Sequence, residues 1–337
     1  MIWYKNQDVN NDIVVSTRIR LARNLEKYPF PGMAEKQDIQ NIKRDVLDAL
    51  EKKKEIFPEG IRTVNMSEID IPSRQLMVER HLISRELAGN QEGVAVIDAD
   101  EEVSIMVMEE DHIRIQVIKS GFNLESTYSL ANKVDDAIEE HCTYAFSEKF
   151  GYLTACPTNT GTGMRASVMM HLPALTMTDN IGKIMASASR LGLTVRGLYG
   201  EGSKAYGSLY QLSNEVTLGL SEEEILKKLE NISMQIIKLE KEAREALKDN
   251  ISVKDRLWRS LGTLRYARIL NSRDAKALLS DYILGVSIGI ITEPVKVNPI
   301  ELMMLTEPEN IKRISGEGEL DAVGRDEKRA ELLRASV

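Results

Sequence analysis

The sequence predicts an α+β fold: an antiparallel β-sheet flanked by helices and followed by a C-terminal all-α domain. Three observations predict it. Strand-like segments crowd between residues 61 and 118, and the three from Gly93 to Ile118 are joined by connections too short for parallel crossovers. Amphipathic helical patterns flank that cluster. From Ser221 onward the chain is charge-rich with helical spacing, and no strand pattern recurs. The composition shift puts the boundary between residues 240 and 255, so we expect an α+β domain over 13–243 and a helical domain over 244–337.

Taken in order, Ile13 to Leu21 partly alternates apolar and polar residues, with Arg18 and Arg20 on one strand face. Asp38 to Glu55 is a charged amphipathic helix ended before Pro58. Ile61 to Ile69 is a strand, and Ser73 to Leu87 a helix with Ser73 as its cap. Strands follow at Gly93 to Asp98, Val103 to Glu109 and His112 to Ile118, the last two joined by a tight turn at Glu110 and Asp111. Leu124 to Phe150 reads as one long helix and Asn180 to Leu191 as another. Thr194 to Tyr199 and Ser208 to Val216 read as strands. Ser221 through Glu224 forms a capping box, and helices continue at Asp255 to Leu270, Ser272 to Leu284 and Asn298 to Leu305.

Composition excludes several classes. Hydrophobic residues make up 42% and charged residues 28%, as in soluble globular proteins. A net charge of −8 argues against general attraction to nucleic acid or an anionic membrane. The N-terminal MIWYKNQDVNND carries no secretory signal, and no apolar run spans a bilayer. Cys142 and Cys156 make no disulfide framework, which suits a reducing cytoplasm. His81, His112, His141 and His171 are scattered away from cysteine pairs, so no protein-held metal is expected.

Chemistry concentrates in a few places. Cys156-Pro157-Thr158-Asn159-Thr160-Gly161-Thr162-Gly163-Met164-Arg165 is a turn-forming loop with a thiol, hydroxyls and a cation. Its glycines let the backbone approach something closely. Arg18, Arg20, Arg114, Arg165 and Arg196 lie on or beside strands; guanidinium forks suit phosphate oxygens, although each alone also fits a surface ion pair. Glu110 and Glu201 sit in turns, as carboxylates able to bind a cation and take its proton, or as solvated turn residues. Gly161 to Ala166 fits GxGxxA but lacks the preceding apolar strand of a dinucleotide site. Gly197 to Lys204 has Ser and Lys in the wrong order for a P-loop, so if the chain binds ATP, arginines would take over the phosphate contacts.

Four motifs in order now resemble the phosphagen (guanidino) kinases: Ser16-Thr17-Arg18-Ile19-Arg20-Leu21-Ala22-Arg23, Glu109-Glu110-Asp111-His112, Cys156-Pro157-Thr158-Asn159-x-Gly161-Thr162 and Arg196-Gly197-x-x-Gly200-Glu201. Within that family the chain is most similar to the bacterial protein arginine kinase branch. Ser16-Thr17-Arg18 comes almost at once, without the small N-terminal helical domain of creatine and arginine kinases. The segment Gly161 to Leu175 looks like that branch, and Arg325-Asp326-Glu327-Lys328-Arg329-Ala330 is similar to its Arg-Asp-x-x-Arg-Ala motif, which binds phosphoarginine allosterically. Four apart on a helix, Arg325 and Arg329 share a face and can grip one phosphate. Met108 replaces the Asn that precedes the Glu-Glu-Asp turn in small-substrate kinases, and the loop that closes over a free guanidine is absent.

The resemblance implies the phosphagen-kinase catalytic fold over 13–243 and ATP-dependent phosphorylation of arginine residues in proteins, with Mg²⁺ carried by ATP. It implies nucleotide contacts from Ser16, Thr17, Arg18, Ile19 and Arg20; from His81 and Arg114; from Arg165, Ala166, Ser167, Val168 and Met169; and from Arg196, Gly197, Leu198, Tyr199, Gly200 and Glu201. Glu110 and Glu201 would bind the substrate guanidinium, and either can serve as base. Cys156 would be a polarising thiolate beside the substrate nitrogen. Residues 244–337 would dimerise the chain and bind phosphoarginine through Arg325, Asp326, Arg329 and Ala330. The implied partners are a zinc-containing activator protein, a heat-shock repressor and the Clp ATPase/protease that degrades marked proteins. Two alternatives remain: a kinase of a small free guanidine, and a non-catalytic phosphoarginine-binding adaptor. Retention of five arginines and two glutamates disfavours the adaptor.

Overall fold

The computed structural model describes residues 2–5, 13–197, 206–316 and 320–337. Their strands are β1 Val14–Arg23, β2 Ile61–Asn65, β3 Val94–Asp98, β4 Val103–Val107, β5 Ile113–Ser120, β6 Phe146–Ser147, β7 Gly151–Tyr152, β8 Met164–His171, β9 Leu193–Gly197 and β10 Leu209–Asn214. Eight of them form one sheet in the order β2-β3-β4-β5-β1-β8-β10-β9, and β6 pairs with β7 as a separate hairpin. β2 to β5 is the antiparallel meander expected from the clustered strands, with Val64 opposite Ala95, Val96 opposite Ile105 and Met106 opposite Arg114. The sheet order matters for the site. It puts β1 between β5 and β8, so three stretches far apart in sequence bring their arginines side by side.

The chain gathers into two compact units. One comprises Met1–Trp3, Thr17–Ser167 and Ser213–Glu230; the other comprises Tyr4–Ser16, Val168–Leu212 and Asn231–Val337. In the first, β3 and β4 are buried along nearly their whole length, which explains their almost unbroken apolar sequences. Ala95, Ile97 and Met106 pack on Met66, Met77, Leu82 and Leu87. The helix Leu124–Glu139 packs on β5, and the helix Lys36–Lys52 packs on that helix. In the second unit, the helices Ile251–Tyr266, Ser272–Ser287 and Ala322–Ser336 pack on one another. The helix Glu222–Leu247 starts with the expected capping box: Ser221 Oγ accepts the Glu224 N–H at 3.2 Å, and Glu224 Oε2 accepts the Ser221 N–H at 2.8 Å.

Several expected elements are corrected. The helix expected over Ser73 to Leu87 is two helices, Ile71–Glu79 and Arg85–Gly89. Asp70, not Ser73, caps the first, accepting the Ser73 N–H at 2.9 Å. His81 lies between them at φ 58°, a left-handed backbone no α-helix accommodates. The helix over Leu124 to Phe150 stops at Glu139. Asn24 O draws in the Ala145 N–H at 2.7 Å, and the chain turns into the β6–β7 hairpin. β8 had no sequence assignment, because a short buried apolar run has no periodicity that separates strand from helix. The last residues of the strand expected over Thr194 to Tyr199 lie outside the described residues.

Candidate active site

The Cys156 loop owes its shape to close contact with its own chain. Pro157–Asn159 forms one 3-10 turn. Gly161 (φ 119°) and Gly163 (φ 62°) have left-handed backbones. A Cβ on Gly161 would overlap the Thr217 carbonyl, and one on Gly163 would lie 2.6 Å from Ala22 O. The glycines therefore let the loop press against its own scaffold. Thr217 Oγ1 ties the loop down, donating to Thr158 O at 2.9 Å and Thr160 O at 2.7 Å. Beneath it, Arg23 is buried: it pairs with Asp135 Oδ2 at 2.7 Å, donates to Thr162 O at 3.0 Å and stacks 3.6 Å from the Tyr152 ring centroid. Cys156 is half-buried, its Sγ 3.0 Å from Thr158 Oγ1.

The acidic turn between β4 and β5 divides its labour residue by residue. Glu109 is buried against Arg114. Glu110, more exposed, lies 3.2 Å from the same guanidinium. Burial pushes the Glu110 carboxyl above the ordinary carboxylate range, and Arg114 pulls it back part of the way. Asp111 Oδ1 accepts from Asn24 Nδ2 and from the Ala155 N–H, both at 2.6 Å. His112 is buried; its Nδ1 accepts the Leu25 N–H at 3.0 Å, so Nε2 carries the proton and donates to Pro29 O at 2.8 Å. Burial lowers the His112 pKa and keeps the ring neutral. The turn is thereby pinned to the end of β1 and to the Cys156 loop.

Arg20, Arg114, Arg165, Glu110, Cys156, Thr158 and Asn159 line one cleft of about 210 Å³ together with Ala22 and Gly163. The structure thus brings together three of the five candidate arginines, one candidate glutamate and the thiol. Arg18 lies within electrostatic reach: burial first, then Arg165 and Arg114, lower its pKa to about 10. Burial, followed by Arg18, Arg114 and Arg165, holds Arg20 well below the usual arginine range. Arg20 Nε is buried with no hydrogen-bond partner among the described residues. Such crowding of like charge favours a polyanion.

The other candidates occupy supporting places. Thr17 Oγ1 donates to Gly121 O at 2.7 Å and accepts the Asn123 N–H at 3.0 Å. Ser16, Ile19, Ala166, Ser167, Val168 and Met169 are buried, and the Ala166 N–H donates to Asn214 Oδ1 at 2.8 Å. His81 is held by its carbonyl, which accepts from Gln116 Nε2 at 2.7 Å, and its ring meets Trp3 edge-on at 5.8 Å. Arg196 and Gly197 end β9 in the second unit. Leu198, Tyr199, Gly200 and Glu201 lie outside the described residues. Sequence reasoning missed Asn24, Asp111, Asp135 and Glu109 as site supports. Only Glu109 and Asp111 carried a signal, as neighbours of Glu110.

Residues 39–243 match the family ATP:guanido phosphotransferase, C-terminal catalytic domain, and residues 250–337 match the protein-arginine kinase McsB C-terminal domain. The chain is 46% identical over 338 residues to a protein-arginine kinase of Halothermothrix orenii, covering 99% of this chain and 96% of that protein. It is 44% identical over 337 residues to that of Brevibacillus brevis, covering 98% and 94%. This chain belongs to the protein-arginine kinase family. Among solved structures, the duplicated taurocyamine kinase of Schistosoma mansoni with bound transition state analog components shares the fold, with TM-score 0.64 and 24% identity over 80% of this chain and 39% of that one. Lombricine kinase does so with TM-score 0.62 and 24% identity over 72% and 69%.

In this protein-arginine kinase family member, the second arginine motif lies on the helix Ala322–Ser336. Arg329 is 1% exposed. Its Nε donates to Thr306 O at 2.7 Å, and Nη1 donates to Leu270 O at 2.8 Å and Asp326 Oδ1 at 2.5 Å. Two backbone carbonyls and Asp326 thus hold the Arg329 guanidinium inside the fold. Arg325 is only partly buried and donates to Leu320 O at 2.8 Å. Ala330 is buried beside them.

Proposed function

We propose that this chain transfers the γ-phosphoryl group of ATP to the guanidinium of arginine residues in proteins. The convergence of Arg20, Arg114 and Arg165 with the carboxylate of Glu110 in one cleft carries this reading. The arginines, Arg18 included, hold the phosphates and neutralise charge on the transferring group. Arg196, His81, Ser16 to Arg20, Ala166 to Met169 and Gly197 to Glu201 are the further nucleotide-binding residues that the family resemblance implies. Among the described residues, no group of His, Cys, Asp and Glu is placed to hold a metal ion; Mg²⁺ arrives on the nucleotide's own oxygens.

An arginine guanidinium does not lose its proton at neutral pH in water. A guanidine nitrogen attacks the γ-phosphorus, the bond to the bridging oxygen breaks and ADP leaves. The nitrogen's proton passes to a carboxylate, either Glu110 or Glu201. Cys156 lies beside that nitrogen and polarises it without forming a bond.

The C-terminal helices dimerise the chain and sense phosphoarginine. Arg325 with Asp326 supplies the contact, Arg329 and Ala330 its scaffold. Among the described residues no helix is long and apolar enough to cross a membrane; we place the protein in the cytoplasm, marking stress-damaged proteins for a Clp ATPase/protease, acting on a heat-shock repressor and answering to a zinc-containing activator. Free phosphoarginine shifts the activity, and Arg325→Ala abolishes that response.

The test is incubation with ATP, Mg²⁺ and an arginine-rich protein. Acid-labile phosphate on arginine is expected, read by mass spectrometry that preserves N–P bonds. Acid-stable phosphate on serine or threonine overturns the proposal. Turnover of free arginine alone makes the chain a small-guanidine kinase.

A further inference from the structure

We propose that Asp111 is a positioning residue that sets the separation of Glu110 from Cys156. Its carboxylate is fully buried. One oxygen, Oδ1, accepts both the Asn24 side-chain amide and the Ala155 backbone N–H at 2.6 Å. Glu110 immediately precedes Asp111, and Cys156 immediately follows Ala155. A single atom therefore references two walls of the cleft to each other, although the two segments lie 44 residues apart in the chain. The turn is closed on itself as well, since the Glu109 N–H donates to Asp111 O at 3.1 Å.

The second oxygen supports this role. Among the described residues Oδ2 is buried without a hydrogen-bond partner. Leaving a carboxylate oxygen idle in the interior costs stability. A turn that needed only closure would do better with a neutral side chain. What the carboxylate supplies is a strong, short, double acceptor at Oδ1. Asparagine in its place keeps the volume but weakens both bonds. It also brings a side-chain NH₂ into a region where Oδ2 found no partner.

The inference rests on the kinase reading, yet part of its test does not. In Asp111→Asn, kcat for arginine phosphorylation is expected to fall about a hundredfold, the cost of an ångström-scale misplacement of reacting groups. The KM for ATP should stay unchanged, because the phosphate-holding arginines are untouched. The rate of Cys156 alkylation by iodoacetamide, followed by peptide mass spectrometry, should change severalfold. Buried Cys142 serves as internal control. Alkylation requires no phosphoryl transfer. If the wild type phosphorylates no arginine, the kinase reading fails while an altered alkylation rate still upholds the coupling.

Wild-type kcat in folded Asp111→Asn overturns the proposal, and so does an unchanged alkylation rate. Should Asp111→Asn fail to fold, Asp111→Glu enters the same two assays: it keeps the acceptor and displaces Ala155 by one methylene. If neither variant folds, the role is structural support of the turn and the positioning proposal falls.

Discussion

The cleft between β5, β1 and β8 and the helix Ala322–Ser336 both present arginines at spacings that suggest a grip on phosphate, yet the two regions use them in opposite ways. In and beside the cleft, Arg20 and Arg18 stand among other arginines, so burial and like charge lower their pKa values. In the helix, Arg329 spends its donors on Thr306 O, Leu270 O and Asp326. The first arrangement stores unfavourable electrostatics that a polyanion relieves. The second is a satisfied buried cation bracing helix ends. Spacing alone does not separate a binding arginine from a structural one; the groups that face it do.

The largest break in this comparison should come from Glu110, a proposed base. Glu110→Gln is expected to lower kcat by about 10² to 10⁴ while ADP binding persists, checked by initial rates and calorimetric titration. In the wild type, burial raises the Glu110 pKa. Acting as base, Glu110 must be ionised, so activity should fall with decreasing pH from a point above that of an ordinary glutamate; an acid limb at the ordinary value assigns the proton to Glu201.

Arg20→Met tests the cleft against the helix directly. It should cost about 10² to 10³ in kcat, as loss of a preorganised donor does. It should also raise the melting temperature of the nucleotide-free protein, because it removes a crowded cation. Arg329→Met should do the reverse: it strands two carbonyls and lowers stability by about 2–4 kcal/mol, read by denaturant unfolding. A stabilised Arg329→Met or a destabilised Arg20→Met would erase the distinction.

The smallest effect concerns pH. Arg18 has its pKa lowered in the folded chain to about 10. Below that pH the folded protein carries the cost of a crowded charge; above it the proton leaves and the cost is relieved. Nucleotide affinity follows the charge, so it should be flat through neutrality and weaken as pH rises through about 10. ADP titration across alkaline pH measures this.

Much of the fold was legible because its signals are local. The antiparallel strands β3 to β5 announced themselves through short runs and tight turns, and the Ser221–Glu224 capping box formed as its residues demand. The long helix over Leu124 to Phe150 misled because the chain beyond Glu139 bonds to Asn24, more than a hundred residues upstream, instead of continuing the helix. In the site, Glu110 and Cys156 stood out by residue type and turn context. The partners of Asp111 and Arg23 did not: Asp111 holds the Cys156 loop and Arg23 lies buried with Asp135 under it, pairings no spacing rule connects.

By itself, the sequence determined which chemistry was on offer: a thiol loop, turn glutamates and arginines on strands, in a family-specific order. It also determined local structure wherever caps, turns and alternation decide it. Only the tertiary structure decided which of those groups meet. The sheet order β5-β1-β8 brings Arg114, Arg20 and Arg165 to one cleft, and the packing of the C-terminal helices draws Arg329 inside. The physical reason is common to both. A guanidinium's role is set by its solvation and its nearest charges, and these come from chain segments far apart in sequence.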